Sequence, residues 1–193
     1  MTLTVGDLFG LTEGDNPHRW YDPSEVLTVA RTIAADLGKL DPKDKAYFAK
    51  QLSAFDTQGL ATYHRLINQI HVRYEGVPVG ASESIFALQA PSLGLKLITP
   101  YSFMKAISEG TEVTAQDTVT TEHQLIGRQI KVWVYNAQNV TPEIKHLNSL
   151  AAAAHIPIAT VTETLAPASD SFQQWQVAQL QRLQTALHEG TGR

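Results

Sequence analysis

From Val77 onward, short apolar segments alternate with segments of helical periodicity, and this alternation constrains the fold more than any other feature. The segment IKVWVY, residues 130–135, is almost continuously apolar, β-branched or aromatic, which is typical of a strand covered on both faces. Such alternation predicts an α/β fold in which helices flank a parallel sheet with right-handed crossovers. The predicted strands are Val77–Gly80, Leu95–Thr99, Ile130–Tyr135 and Ile156–Thr162. The predicted helices around them are 83–93, 114–127, 141–154 and 171–188.

Two helix starts precede this alternation. The sequence Asp22-Pro23-Ser24-Glu25 supplies an N-cap, a proline at the first helical position and an acid in the first turn, and Gly38 marks the expected end. Asp41-Pro42 begins a second helix in the same way. Its apolar periodicity continues to about Val72, with Gly59 as a weak point, and a continuous helix of that length spans roughly 45 Å. A helix of this length can brace two lobes.

The composition excludes several classes of function. A net charge of −4 gives no electrostatic basis for a nucleic-acid partner. The start MTLTVGDLFG lacks the basic residues and long apolar run of a signal peptide, so none is expected in this chain. The absence of cysteine excludes disulfides, thiolate metal ligands and cysteine nucleophiles. No nucleophile elbow, phosphate-binding glycine loop or His-Glu-x-x-His helix is present, so no enzyme is expected, and a metal-dependent hydrolase is kept only as an alternative.

Acidic residues follow two of the predicted strands. Glu83 follows VPVGAS directly and Glu163 follows IPIATVT, so both should emerge at the edge of the sheet where ligands bind. Two carboxylates there suit a divalent cation, or they are merely two exposed acids. His18, in the turn GDNPHRWYDPSE, is either a ligand or a turn-capping residue. A His/Glu/Glu set would suit manganese, iron or zinc better than copper(I), although spacing alone does not show that the three residues meet.

Other polar and aromatic residues have plainer interpretations. The segment YNAQ follows a predicted strand at the same edge, so Tyr135, Asn136 or Gln138 could orient a ligand, or simply form a turn. The three tryptophans are interpreted as packing residues. The six other histidines, in or at the ends of predicted helices, are interpreted as surface or capping residues: His64, His71, His123, His146, His155 and His188.

Six segments, in order, resemble one known family. NPHRWYDP is similar to the NPHxWxDP segment of cluster A-I solute-binding proteins, the zinc- and manganese-binding components of ABC transporters. The resemblance continues through LDPKDKAYFAKQLSAF, VGASESIFALQAPSLGLKL, EGTEVTAQD, VWVYNAQ and IPIATVTETLAP. It covers nearly the whole chain from about residue 14.

The resemblance implies roles for three residues. His18 matches the histidine of the NPH turn, which is a metal ligand in that family. Glu83 matches a site where many members place histidine and some glutamate, and Glu163 matches the terminal aspartate or glutamate ligand. The implied ligand is therefore Zn²⁺ or Mn²⁺, which the protein would transport, and the implied partner is an ABC permease in the membrane.

The chain also departs from the family pattern. The family's first histidine ligand has no counterpart, and members carry a signal or lipoprotein leader and most of an N-terminal lobe before the NPH turn. The resemblance thus implies a C-terminal portion, divided into an N-lobe remnant at 1–40, a long connecting helix at 41–73 and a C-terminal α/β lobe at 74–193. Pro91 lies inside the helix predicted after Glu83, where it should kink or end that helix.

Two interpretations of the function follow. In the first, the chain is the extracytoplasmic binding component of an ABC importer for zinc or manganese, or its C-terminal fragment, located in the periplasm or anchored at the cell surface. Apolar surface left by a missing lobe would then favour self-association. In the second, the chain is a truncated interaction or adhesion module with a vestigial metal site.

Overall fold

The computed structural model describes residues 2–193 as helices packed around a small sheet. The α-helices are α1 Val5–Leu8, α2 Pro23–Leu40, α3 Lys45–Ala54, α4 Ala61–Tyr74, α5 Tyr101–Glu109, α6 Ala115–Ile126, α7 Pro142–Ala153 and α8 Phe172–Thr191. The strands are β1 Pro78–Ala81, β2 Lys96–Leu97, β3 Trp133–Asn136 and β4 Ile158–Val161. Within residues 2–193, no helix is both long enough and apolar enough to cross a membrane.

The four strands form a parallel sheet in the order β2-β1-β3-β4. Each predicted strand is present; β1 is shifted by one residue from its predicted position, and the other three strands are shorter than predicted. Gly80 of β1 pairs with Trp133 of β3, which in turn pairs with Ile158 of β4. A Cβ on Gly80 would lie 2.9 Å from the Trp133 ring, so this position has no room for a larger residue. The predicted α/β fold with a parallel sheet is confirmed.

The direction of the crossover connections reverses between β1 and β3. From β1 the chain crosses to β2 on one side, whereas from β3 it crosses to β4 on the other side. In open parallel sheets, the crevice beyond the carboxyl ends of the strands at such a reversal is where ligands bind. Glu83 follows β1 and Asn136 ends β3, so both residues lie at this reversal.

Helix α2 begins as predicted but does not end at Gly38. The Asp22 side chain accepts hydrogen bonds from the backbone N–H groups of Ser24 and Glu25, which satisfies two free donors of the first turn. Gly38 is buried inside the last turn, and a Cβ there would lie 3.2 Å from Cγ of Lys45 at the start of α3. Glycine at this position therefore permits the close approach of α2 and α3 and does not terminate α2.

The helix predicted from Asp41 to about Val72 is interrupted. A 3₁₀ turn at Pro42–Asp44 leads into α3, and a π-helical turn at Phe55–Gly59 separates α3 from α4. The Leu60 N–H donates to the Phe55 carbonyl at 2.8 Å, which is the longer hydrogen-bond step of a π turn. The interruption includes Gly59, the predicted weak point of this helix.

The α-helix predicted at 83–93 does not form. This segment is a series of turns with a 3₁₀ helix at Phe86–Leu88. The Ser84 carbonyl accepts hydrogen bonds from Ala87 N at 3.1 Å and from the Asn16 side chain at 2.6 Å. Pro91 has no N–H to donate, so a helix here would also lack a later hydrogen bond. The sequence prediction was wrong because tertiary hydrogen bonds to Asn16 and Ser108 hold the Ser84 backbone and Pro91 removes a donor.

Helix α5 was not predicted. It follows Pro100, has no side-chain N-cap, and ends at Gly110 in the left-handed conformation with φ +64°. Phe103, Met104 and Ile107 form its buried face. The spacing of these apolar residues and the terminal glycine were the available sequence signals.

Candidate metal centre

His18 lies in a turn that is fixed by Asn16. The Asn16 side-chain N–H₂ donates to the Ser84 carbonyl at 2.6 Å, which orients the amide. The Asn16 Oδ1 atom then accepts from the backbone N–H of His18 at 3.1 Å and lies 2.8 Å from His18 Nδ1. Because this oxygen can only accept, the network assigns the proton to Nδ1 and leaves Nε2 to face the site.

His18 Nε2 contacts Glu163. Nε2 lies 3.1 Å from Glu163 Oε1, although the two residues are 145 positions apart in the sequence. The His18 side chain is 5% exposed and that of Glu163 is 49% exposed, so the pair lies at the border between core and solvent. His18 occupies the N-cap position of the 3₁₀ turn Arg19–Tyr21, but its side chain makes no capping hydrogen bond. The turn-capping interpretation of His18 is therefore wrong.

Glu83 is a buried carboxylate. It lies two residues beyond β1 and is 3% exposed, which contradicts the interpretation of this residue as a merely exposed acid. Its Oε2 accepts a hydrogen bond from the Asn136 side chain at 3.1 Å, whereas its buried Oε1 has no hydrogen-bond partner among residues 2–193. Burial raises the pKa of Glu83; the hydrogen bond from Asn136 and the nearby Asn139 amide oppose this rise, and the Glu163 charge adds to it.

The three candidate residues of the YNAQ segment are placed differently. Asn136 donates to Glu83, and its Oδ1 accepts from the backbone N–H of Gln138 at 2.9 Å. The Gln138 side-chain oxygen accepts from the N–H groups of Glu163 and Thr164, at 2.8 and 2.9 Å. Asn136 therefore contacts one candidate ligand, and Gln138 holds the backbone of another. Tyr135 is half-buried and packs against the core.

The structure brings the candidate ligands together in part. His18 and Glu163 are in contact, and Glu83 lies close enough to Glu163 for the charge of one to affect the other. Among residues 2–193, no three histidine, aspartate or glutamate side chains are gathered tightly enough to hold a metal ion. The atoms that face one another are an imidazole nitrogen and carboxylate oxygens, which are donors suited to zinc or manganese.

Sequence reasoning missed three residues of this region. Asn16 orients His18, and Tyr21 and Gln179 connect the His18 turn to the end of β4. Asn16 lies two residues before His18 in the NPH segment, and this position was the available sequence signal. Gln179 is 158 positions from Tyr21, and only its place among the apolar residues of α8 suggested that it is buried.

Several solved structures are similar to this one. The laminin-binding adhesin Lmb from Streptococcus agalactiae matches at 22% identity and a TM-score of 0.72, covering 96% of this chain and 70% of that chain. A second Lmb structure, described as a bifunctional protein with adhesin and metal transporting activity, matches at 23% identity and a TM-score of 0.68, covering 89% and 64%.

Two further structures contain metal ions. FpvC from Pseudomonas aeruginosa, in complex with Ni²⁺, matches at 17% identity and a TM-score of 0.69, covering 92% of this chain and 64% of that chain. A Mn-bound periplasmic metal binding protein from Candidatus Liberibacter asiaticus matches at 16% identity and a TM-score of 0.71, covering 89% and 63%. These likenesses show a shared fold, and the chain spans about two thirds of the length of these structures.

The family assignment comes from a separate comparison. No curated protein matches the sequence. The profile of the family described as "Zinc-uptake complex component A periplasmic" matches residues 5–186, which is nearly the whole chain. That family consists of metal-uptake components and is not a family of enzymes. The chain therefore belongs to the periplasmic zinc-uptake complex component A family.

Proposed function

We propose that this chain is the extracytoplasmic metal-binding component of an ABC importer for zinc or manganese, or a portion of that component. The observation that carries the proposal is the Glu83 carboxylate, which is buried at the β1/β3 reversal and keeps one oxygen without a partner. A buried carboxylate oxygen without a partner is costly, and a cation is one group that would satisfy it.

The proposed ligands are His18, Glu83 and Glu163. Asn16 directs the Nε2 atom of His18 towards Glu163, and Asn136 and Gln138 hold the two carboxylate-bearing segments. These outer contacts support the proposal because metal ligands in proteins are usually oriented by a surrounding set of hydrogen bonds. A His/Glu/Glu set provides one nitrogen donor and several oxygen donors, which suits manganese and does not exclude zinc.

The proposed mechanism is capture and release without catalysis. The cation would be taken from outside the cytoplasm and passed to a membrane permease by a change between open and metal-closed states. We assign residues 1–40 to an N-lobe remnant, 41–73 to the connecting helical segment and 74–193 to the C-terminal lobe. The nearly continuous course of α3 and α4 supports this division, since a stiff segment would limit the lobes to small movements.

Calorimetric titration of the metal-stripped chain with zinc, and then with manganese, tests this proposal. Wild type should bind one ion per chain with micromolar or tighter affinity. Glu83→Gln should lose this binding because an amide cannot supply the negative charge of the carboxylate. Glu122→Gln is the matched control, since Glu122 pairs with His146 on the surface. An absence of binding by wild type, or equal binding by Glu83→Gln, would refute the proposed site.

A second candidate function is adhesion, with a vestigial metal site. It is favoured by the similarity to Lmb, which is described as having both adhesin and metal transporting activity. Binding of the metal-stripped chain to immobilised laminin tests it. Saturable binding that is unchanged in Glu83→Gln would support an adhesive surface separate from the metal site, whereas no binding would reject adhesion to laminin.

Self-association is proposed from the exposed face of α2. Ile33, Leu37 and Leu40 on this helix are 46%, 40% and 64% exposed. Beside them lies an apolar groove of about 450 Å³ whose walls include Trp20 and Phe55. Sedimentation at increasing concentration should show association that Leu37→Glu weakens, whereas Val72→Glu, at another exposed apolar site, should not affect it. A strictly monomeric profile would contradict this proposal.

A further inference from the structure

Tyr21, Thr162 and Gln179 form a buried polar cluster. The Tyr21 side chain is fully buried, and its hydroxyl lies 2.8 Å from both the Thr162 carbonyl oxygen and Gln179 Oε1. The backbone N–H of Thr162 donates to the same Gln179 oxygen at 2.7 Å. Burial raises the pKa of Tyr21 well above its usual range, so the hydroxyl keeps its proton and remains a donor.

This cluster connects the segments that carry two of the proposed ligands. The backbone N–H of Tyr21 donates to the His18 carbonyl at 3.0 Å, so Tyr21 belongs to the same turn as His18. Thr162 directly precedes Glu163, so its backbone fixes where the Glu163 side chain begins. The Tyr21 hydroxyl is therefore a direct hydrogen-bonded link between the His18 turn and the end of β4.

Helix α8 supplies the rigid support for this link. Gln179 contributes the amide oxygen, and one turn earlier Trp175 Nε1 donates to the Thr162 hydroxyl at 2.7 Å. The Tyr21 and Trp175 rings also pack edge-to-face, with their centroids 5.9 Å apart. The turn after β4 is thus held by two side chains of one helix, and Tyr21 docks against the same pair.

We propose that Tyr21 and Gln179 are positioning residues that set the distance between His18 and Glu163 and thereby preorganise the site for a divalent cation. The inference rests on the proposed function in naming the cation. The hydrogen-bonded link between the His18 turn and the end of β4 is observed in the structure and does not depend on the proposed function. A shift of one turn by a fraction of an ångström would misplace a donor atom, and metal affinity is sensitive to the groups that orient the ligands.

Tyr63 provides an internal control for this proposal. Like Tyr21, it is fully buried in the core, but its hydroxyl has no hydrogen-bond partner in the part of the chain that the structure describes. Removing the Tyr63 hydroxyl therefore deletes a buried oxygen without breaking a link between segments. Tyr21→Phe and Tyr63→Phe are equal chemical changes in similar surroundings, and only the first removes the connection to Thr162 and Gln179.

The test compares zinc affinity in wild type, Tyr21→Phe, Gln179→Met and Tyr63→Phe by calorimetry. Tyr21→Phe and Gln179→Met should each weaken zinc binding by about 10-fold, at the lower end of the range for groups that orient metal ligands. Tyr63→Phe should bind as wild type does. Cobalt(II) spectra of the loaded proteins should change in band intensity for the first two variants and not for the third, because those bands report ligand geometry.

A metal-free measurement separates this inference from the proposed function. The ring ¹⁵N chemical shifts of His18 report its contact with Glu163 when no ion is present, and they should change in Tyr21→Phe but not in Tyr63→Phe. If wild type fails to bind zinc while these shifts behave as expected, the proposed function fails and the positioning role stands. Unchanged shifts in Tyr21→Phe, or zinc affinity equal to that of wild type, would overturn the positioning role.

Discussion

Two histidine–carboxylate pairs in this protein have similar distances and different surroundings. His18 Nε2 lies 3.1 Å from Glu163, and His146 Nε2 lies 2.9 Å from Glu122. The His18 side chain is 5% exposed, whereas that of His146 is 56% exposed. A short contact between a histidine and an acid therefore does not by itself identify a functional site.

The difference lies in what holds each ring. The other nitrogen of His18 is held by Asn16, and the backbone of Glu163 is held by Gln138. His146 projects from α7 towards α6, and within residues 2–193 the hydrogen bond of its ring is to Glu122. A histidine ring that is already held in place loses little further conformational entropy when it binds an ion. A mobile pair on the surface must be ordered first. The comparison predicts that substitutions at the two pairs have different consequences.

The largest expected effect is the loss of metal binding in His18→Ala. We expect zinc affinity to fall by more than about 100-fold, because even groups that only orient a ligand contribute about 10–100-fold. His146→Ala should bind zinc as wild type does, although it removes an equally short contact. Calorimetric titration of both variants measures the difference, and equal losses in the two would show that the surroundings of His18 give it no special role in binding.

Asn16→Ala should have the next largest effect. It leaves all proposed ligands intact but removes the acceptor that holds Nδ1 of His18, so zinc affinity should fall by about 10–100-fold. The ring ¹⁵N shifts of His18 in the metal-free protein should also show a mixture of tautomers. The exposed Asn68 on α4 is the control position, and Asn68→Ala should change neither quantity. Wild-type affinity in Asn16→Ala would show that the ring does not need this support.

Glu83→Gln should stabilise the metal-free protein at neutral pH. Burial raises the pKa of Glu83, so the folded state holds this proton more tightly than the unfolded chain does, and stability falls as pH rises through that range. Removing the buried charge should raise the Tm at pH 7 by about 2–4 °C, as expected for roughly 1 kcal/mol at this chain length. Thermal unfolding monitored by circular dichroism measures the change.

The pH dependence sharpens this prediction. The difference between wild type and Glu83→Gln should shrink as pH falls below the ordinary range of a glutamate, because Glu83 is then protonated in both the folded and the unfolded states. Glu122→Gln, at the surface pair, should show no comparable gain at pH 7. A lower Tm for Glu83→Gln at pH 7 would mean that the Glu83 charge is already compensated in the metal-free protein.

The smallest expected effect is on stability at the surface pair. His146→Ala should change the free energy of unfolding by less than about 1 kcal/mol, because exposed ion pairs contribute little and are screened by salt. Urea denaturation at low and at high salt measures this change. A larger loss would show that the contact between α6 and α7 depends on the His146–Glu122 pair.

Much of the fold could be predicted from residues that lie close together in the sequence. Asp22-Pro23 and Thr141-Pro142 begin helices where they were predicted, because the capping side chain and the proline act within one turn. The nearly continuous apolar segment at 130–135 supplies the first three residues of β3. The parallel arrangement of the strands followed from their alternation with helices, and the structure confirms it. These features depend on residues that are neighbours in the chain.

Prediction failed where distant residues compete with local preference. The apolar residues of the segment at 83–93 have helical spacing. However, the Asn16 side chain donates to the Ser84 carbonyl, and the Ser108 hydroxyl accepts from the Ser84 backbone N–H at 3.1 Å. Both contacts join parts of the chain that no local pattern connects. They hold the segment in turns and leave Glu83 buried at the reversal between β1 and β3.

The sequence by itself determined the parallel α/β lobe and the edge of the sheet at which Glu83 and Glu163 emerge. Periodicity and strand direction settle those features through interactions within one or two turns or along one strand. Only the tertiary structure decided that Glu83 is buried with one oxygen unpaired, that His18 contacts Glu163, and that Tyr21 and Gln179 connect their segments. Desolvation and hydrogen bonding between segments far apart in the sequence depend on how the whole chain packs, which no local pattern encodes.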